Sequence, residues 1–152
     1  MAVFRFRYER LLRLSLQRER QQAYVVGRKM AEIVAQRREV ERLKTEWERG
    51  RRQWLAQVRR GASAAELLAG SQWLAKARDR IEASTKRLRE LHGELEAERA
   101  RLVELVKRRR TYEKLKERAR QRFDEQERKA EQAMLDEIAS ISDWRRRMEA
   151  EQ

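Results

Sequence analysis

The sequence predicts an all-α fold, a long antiparallel two-helix coiled-coil hairpin in which helix 2 is longer than helix 1. Three observations lead there. The 152 residues include no proline and only five glycines, so little in the chain stops a helix. Charged residues make up 43% and hydrophobic residues 40%, with few aromatics, a balance that belongs to long helices rather than to a compact core. Apolar residues recur at seven-residue steps along two stretches separated by one glycine-containing break. So charged a chain could also be disordered, and the regular apolar spacing decides against it.

Helix 1 is expected over about 3–60. Steps of seven from Leu12 land on Glu19, Val26, Ile33, Val40, Trp47 and Trp54, most of them apolar. A companion series, Leu16, Ala23, Met30, Arg37, Lys44, Arg51 and Val58, turns basic in its middle, which predicts weak spots in the seam. The connection is expected over about 61–71, where Gly61 and Gly70 lie, with the capping-box pair Ser63 and Glu66 marking a short helix or a new helix start.

Helix 2 is expected over about 72–148 and carries the cleaner pattern. Leu74, Ile81, Leu88, Leu95 and Leu102 form one series; Ala77, Ser84, Leu91, Glu98, Leu105, Tyr112 and Ala119 form the other. At 1.5 Å per residue this helix is roughly 115 Å long against roughly 85 Å for the first. A short connection makes the two antiparallel, with partner residue numbers summing to about 130. The whole of 1–152 then reads as a single elongated coiled-coil domain. Phe4 then lies near residue 126, so helix 1 runs out within the stretch from Leu105 to Ser140, and residues past that point need another protein or they fray.

Charge is distributed unevenly about this frame. The formal net charge is +13. Residues 106–123 hold nine Lys or Arg against two Glu, residues 5–20 hold six Arg against two Glu, and residues 124–143 hold seven acids against two bases. One end of the hairpin is therefore strongly basic, with an acidic extension beyond it. Solvated surface with acid–base pairs at helical spacing accounts for most of the charge. It accounts less well for like charges gathered on neighbouring helices.

Several function classes fall away. With no cysteine there is no disulfide or thiolate metal site. No apolar run approaches the ~20 residues of a membrane span, and arginines interrupt the N-terminus MAVFRFRYERLLRL too often for a secretory signal. A cytoplasmic location is the default. The single histidine, His92, cannot build an ordinary zinc site, there is no GxxxxGK[ST] phosphate loop, and two helices enclose no pocket. The chain reads as no enzyme, with no cofactor, no metal and no small-molecule substrate. The basic end admits a competing reading as a basic coiled-coil protein that binds nucleic acid or ribosomes. No nucleic-acid reading module supports it, and Glu113 and Glu117 break up the basic segment, so nucleic acid is not the expected partner.

The aromatics gather at both ends. Trp47, Trp54 and Trp73 fall near the hairpin tip; Phe4, Phe6, Tyr8, Tyr112 and Phe123 fall near the other end. Trp47 and Trp54 either fill the seam or serve as partly exposed interface anchors.

The stretches FRFRYERLLRL at Phe4–Leu14 and YEKLKERARQRFDEQERKAEQAMLDEIAS at Tyr112–Ser140 carry a resemblance. The chain resembles the flagellar export protein FliJ family, which opens on an alternating aromatic–basic stretch and closes on a KLKE…LDE pattern. Related stalk proteins of injectisome type III secretion share the architecture. The resemblance implies a soluble, peripherally associated component of the export apparatus beneath the basal body. Its implied partners are the hexameric flagellar export ATPase, the cytoplasmic domain of the membrane export-gate protein and, for some members, export chaperones. Matched by motif, Leu43, Trp47, Trp73 and Ala77 take the places of the gate-contacting surface, while Arg80 departs from the small residue expected there. Resemblance and charge together assign the ATPase-ring contact to Arg5, Arg7, Arg10, Arg108, Arg109, Arg110, Tyr112, Arg118, Arg122 and Phe123.

Overall fold

The computed structural model describes residues 2–150, and they form an all-α helical hairpin. Helix α1 spans Glu9–Arg60, 52 residues, and α2 spans Ala64–Ala150, 87 residues. The second is the longer, as the heptads predict. Helix α1 begins later than the expected position near residue 3. The rings of Phe4 and Phe6 are engaged elsewhere, on Phe123 and Tyr8, and the first helical bond runs from Leu12 N–H to the Tyr8 carbonyl, at 3.0 Å.

The turn is tighter than the sequence suggests: it occupies residues 61–63, not about 61–71. Gly61 takes a left-handed φ of 72°. Its N–H reaches the Val58 carbonyl at 3.2 Å, and that of Ala62 reaches the Gln57 carbonyl at 3.0 Å. This pair of bonds is a Schellman cap, which satisfies the last carbonyls of α1. Ser63 then caps α2 at once, its Oγ accepting the Glu66 N–H at 3.2 Å. The capping signal was the true helix start. Gly70, which looks like part of the break, lies inside α2, where the Trp54 ring covers it.

The chain divides into two compact units, each built from a stretch of both helices: Arg20–Glu104, and Met1–Glu19 with Leu105–Gln152. In the first, Val26, Ile33, Leu91 and Leu95 are buried together, with Leu88 and Leu102 packed against them. The series through Leu12, Val26, Ile33 and Val40 on α1, and both series on α2, face inward as expected. Beyond the half-buried Leu16, the companion series on α1 does not. Ala23, Met30, Arg37, Lys44, Arg51 and Val58 are exposed, and the inward positions are one residue earlier: Gln22, Lys29, Gln36, Leu43 and Gly50.

Polar residues serve in that seam because each finds a partner across it. Gln22 donates to the Glu98 carbonyl and carboxylate at 2.9 and 2.6 Å. Lys29 donates to Glu94 at 2.8 Å, and Gln36 to the carbonyl and Oγ of Ser84 at 3.0 and 2.7 Å. Satisfied in this way, a half-buried amide costs little, whereas left unpaired it costs about 1–3 kcal/mol. These pairs are antiparallel, and their residue numbers sum to less than the expected value of about 130 because the turn is short.

In the other unit Leu12 is buried. Arg109 pairs with Glu19, and Lys116 with Glu9 at 2.9 Å. The Phe4 ring lies 5.6 Å from that of Phe123, beyond the start of α1. From Arg128 to Ala150 every position is exposed except the half-buried Ser142. Among the described residues nothing packs against this part of α2 except at Ser142, as its thinning leucines predict. Among the described residues no helix is long and apolar enough to cross a membrane.

Candidate functional site

Two surfaces hold the residues singled out by sequence, one in each unit. In the unit of residues 1–19 and 105–152, the heptad turns each side chain inward or outward. Arg109 and Lys116 continue the seven-residue series of Leu95 and Leu102, and so meet the carboxylates of Glu19 and Glu9. Arg109 also grips Glu113 one turn along, at 2.8 Å. These two carboxylates hold the Arg109 guanidinium above its ordinary pKa, Glu19 first and Glu113 second. Its side chain is only 20% exposed.

The neighbouring arginines point the other way. Arg5, Arg7, Arg10, Arg108, Arg110, Arg118 and Arg122 are all exposed, and among the described residues none of them is in an ion pair. Tyr112 and Phe123 are half-buried on the inner face. The structure therefore separates the ten predicted residues into an outer set of seven exposed cations, of which Arg7 lies over the Tyr8 ring at 5.5 Å, and an inner set of Arg109, Tyr112 and Phe123.

One further arginine of this basic end takes part, although it is not among the ten residues assigned to the ring contact. Arg120 lies over both Phe4, at 5.1 Å, and Phe123, at 5.8 Å, and its guanidinium reaches Asp124 at 3.2 Å. Cation–π contacts of this type contribute about 0.5–1 kcal/mol each at exposed sites. They clasp residues 2–8 onto α2. The available signal was spacing, since Arg120 precedes Phe123 by three residues on one helix face.

The second surface is the tip, within Arg20–Glu104. Leu43, Trp47 and Ala77 are half-buried in the seam, and Trp73 is 46% exposed. The Trp47 ring is flanked by two guanidinium groups, Arg51 at 5.7 Å and Arg78 at 5.8 Å. Trp73 lies against Gly50, and Trp54 against Gly70, each ring occupying the space a β-carbon would take. The Trp54 indole N–H also donates to the Leu67 carbonyl at 2.9 Å. The two rings thus interlock reciprocally, one from each helix. An open cavity lies between them, lined by Gln53 and Gln57 as well as by these four residues. Gly50 and Gly70 were missed as site residues because a glycine reads as a break until the ring above it is known.

The fold is that of an all-α helical hairpin with exposed arginines in one unit and partly exposed tryptophans in the other. The flagellar FliJ protein family matches residues 4–148, nearly the whole chain, and the chain belongs to that family. It is therefore a component of flagellar export. No curated protein and no solved structure matches it.

Proposed function

We propose that this chain is the soluble stalk component of the flagellar type III protein export apparatus, cytoplasmic and held peripherally at the membrane-embedded machinery. In this reading its basic end enters the ring of the hexameric export ATPase and stimulates it. Its tip contacts the cytoplasmic domain of the export gate, and escort of export chaperones is part of the same role.

The observation that carries the reading is the set of seven exposed arginines without ion pairs, on a chain of this family. Unneutralised like charges on adjacent helices repel, and an acid-lined opening around them would remove that cost. Such a contact docks quickly and remains movable, because it depends on long-range charge more than on apolar fit. Arg109 acts in it as a positioning residue, fixing α2 against α1 through Glu19. At the tip, Trp73 is the most exposed of the four gate-contact residues and the natural anchor.

The test is charge reversal of Arg110, Arg118 and Arg122 to Glu, with export ATPase turnover and gate binding measured side by side. All three are exposed, so helicity should hold. The expected result is loss of ATPase stimulation with gate binding retained. Stimulation by the unaltered chain should also fall as salt rises from about 50 to about 300 mM, where the Debye length drops below ~10 Å. Undiminished stimulation by the triple variant would overturn the ring contact at this end.

A further inference from the structure

Two helix faces carry apolar side chains that nothing covers, and their borders carry opposite charge. The first is on α1, turned away from the seam. Ala23, Tyr24, Gly27, Met30, Ala31 and Val34 fall on one stripe at helical period and all are exposed, Tyr24 at 68% and Met30 at 47%. Open space lies above Gly27, so the small residues form a trough between Tyr24 on one side and Met30 on the other. Arg20 and Arg38 stand at its two ends, and Arg28 and Arg37 along its two sides. None of these four is in an ion pair among the described residues.

The second face is on α2 past Phe123. Met134, Ile138 and Ile141 recur at helical period, with Trp144 on their border, and all four are exposed. Glu127, Glu131, Glu137 and Glu149 run along this stripe, and among the described residues none of them is in an ion pair. The other acids of the segment are engaged locally: Asp124 with Arg120, Glu125 with Lys129, Asp143 with Arg147, and Asp136 with Gln132. Four free carboxylates thus border one stripe, outnumbering the unpaired Arg145 one turn beyond Ile141, and four free guanidinium groups border the other. The sequence has no glycine or proline after Gly93, so the segment has no hinge on which to fold back. A second chain is the source of the match.

We propose that these two faces bind each other between copies: the acid-bordered end of α2 in one chain docks on the arginine-bordered stripe of α1 in the next. The contact is heterologous, so each chain keeps one free donor face and one free acceptor face. It forms at high protein concentration and low salt, because exposed charge sets its strength. Neither the ATPase nor the gate is needed for it, so it stands apart from the export reading.

Sedimentation velocity on the full-length chain tests this. At about 50 mM salt the average mass should rise with concentration up to about 100 µM, and association should weaken at least about tenfold at about 300 mM salt. Two variants, each checked for helicity, divide the contact: Met30→Glu with Val34→Glu on the first face, and Ile138→Lys with Ile141→Lys on the second. Each alone should stay monomeric. Mixed, they should form a 1:1 pair and nothing larger, because only one intact acceptor and one intact donor remain. A wild-type chain that is monomeric throughout would overturn the proposal. So would a variant that associates like wild type, or a mixture that stays monomeric.

Discussion

Alanine substitution of the glycines should change stability in opposite directions along the same two helices, and the sign can be worked from geometry. Replacing a helical glycine by alanine ordinarily stabilises by about 0.5–1 kcal/mol, through lost freedom of the unfolded chain. Gly27 and Gly93 have nothing within 4 Å of where a β-carbon would sit. Gly27→Ala and Gly93→Ala should realise that gain in full. At Gly50 the β-carbon would lie 2.6 Å from Cη2 and 2.9 Å from Cε3 of Trp73, and closer still to Cζ3. The ring has to leave. Trp73 is 46% exposed, so roughly half of its surface is covered in the folded chain. An aromatic side chain buries 150–250 Å² when fully enclosed, so half of that at about 25 cal/mol per Å² is about 2–3 kcal/mol. Subtracting the propensity gain leaves Gly50→Ala destabilising by about 1–2 kcal/mol. Gly70→Ala should cost more, because displacing Trp54 also breaks its bond to the Leu67 carbonyl.

Urea unfolding followed by circular dichroism measures all four variants, and a double-mutant cycle isolates the cause. With Trp73→Ala already in place, Gly50→Ala should turn stabilising, since no ring remains to be displaced. If Gly50→Ala stabilised the wild-type chain as Gly27→Ala does, the interlocked tryptophans would not be what holds the tip.

Three further outcomes are expected. Glu94 is held below the ordinary carboxylate range, first by the hydrogen bond from Lys29 and then by that from Arg87. Its contribution is present above the ordinary carboxylate pKa and lost as pH falls through the depressed value; Lys29, held up by Glu94, loses its share as pH rises through its raised value. Melting temperature should therefore drop at both extremes, and Glu94→Gln should flatten both arms. Phe4→Ala removes one ring of the pair clasped by Arg120, and should destabilise by about 1–2 kcal/mol locally. The check is faster amide hydrogen exchange around residues 116–123 with unchanged exchange around Leu91; uniform acceleration would refute a local clasp. Gln36→Leu exchanges a satisfied seam amide for an apolar side chain, and should leave denaturant stability within about 1 kcal/mol or raise it. A large loss would mean that Gln36 fixes the register through Ser84.

Much of this was legible from residue order alone, because heptad spacing is a local property. Both series on α2 from Leu74 onward, and the α1 series through Val26, Ile33 and Val40, name their inward residues directly. The absence of proline and the Ser63–Glu66 pair were enough for two helices and the start of the second. The basic end and its acidic extension followed from counting charge. Other features needed the partner helix in place. Gln22, Lys29 and Gln36 look like surface residues until Glu98, Glu94 and Ser84 stand opposite them, since a polar side chain enters a seam only when satisfied there. That is why heptad spacing alone puts the apolar residues Ala23 and Met30 in the seam in their place.

The same division holds at both ends of the hairpin. Residue order placed tryptophans near the tip, but only the packing of Trp54 over Gly70, 16 positions away, and of Trp73 over Gly50, 23 positions away, made them a lock. Composition likewise placed ten basic and aromatic residues at the other end, and helix rotation then set Arg109 inward against Glu19 while leaving Arg108 and Arg110 in solvent. Local sequence determines period and charge because each depends on neighbours within a turn or two. Which of two adjacent arginines is free depends on a carboxylate ninety residues away in the chain, and only the folded hairpin brings that group within reach.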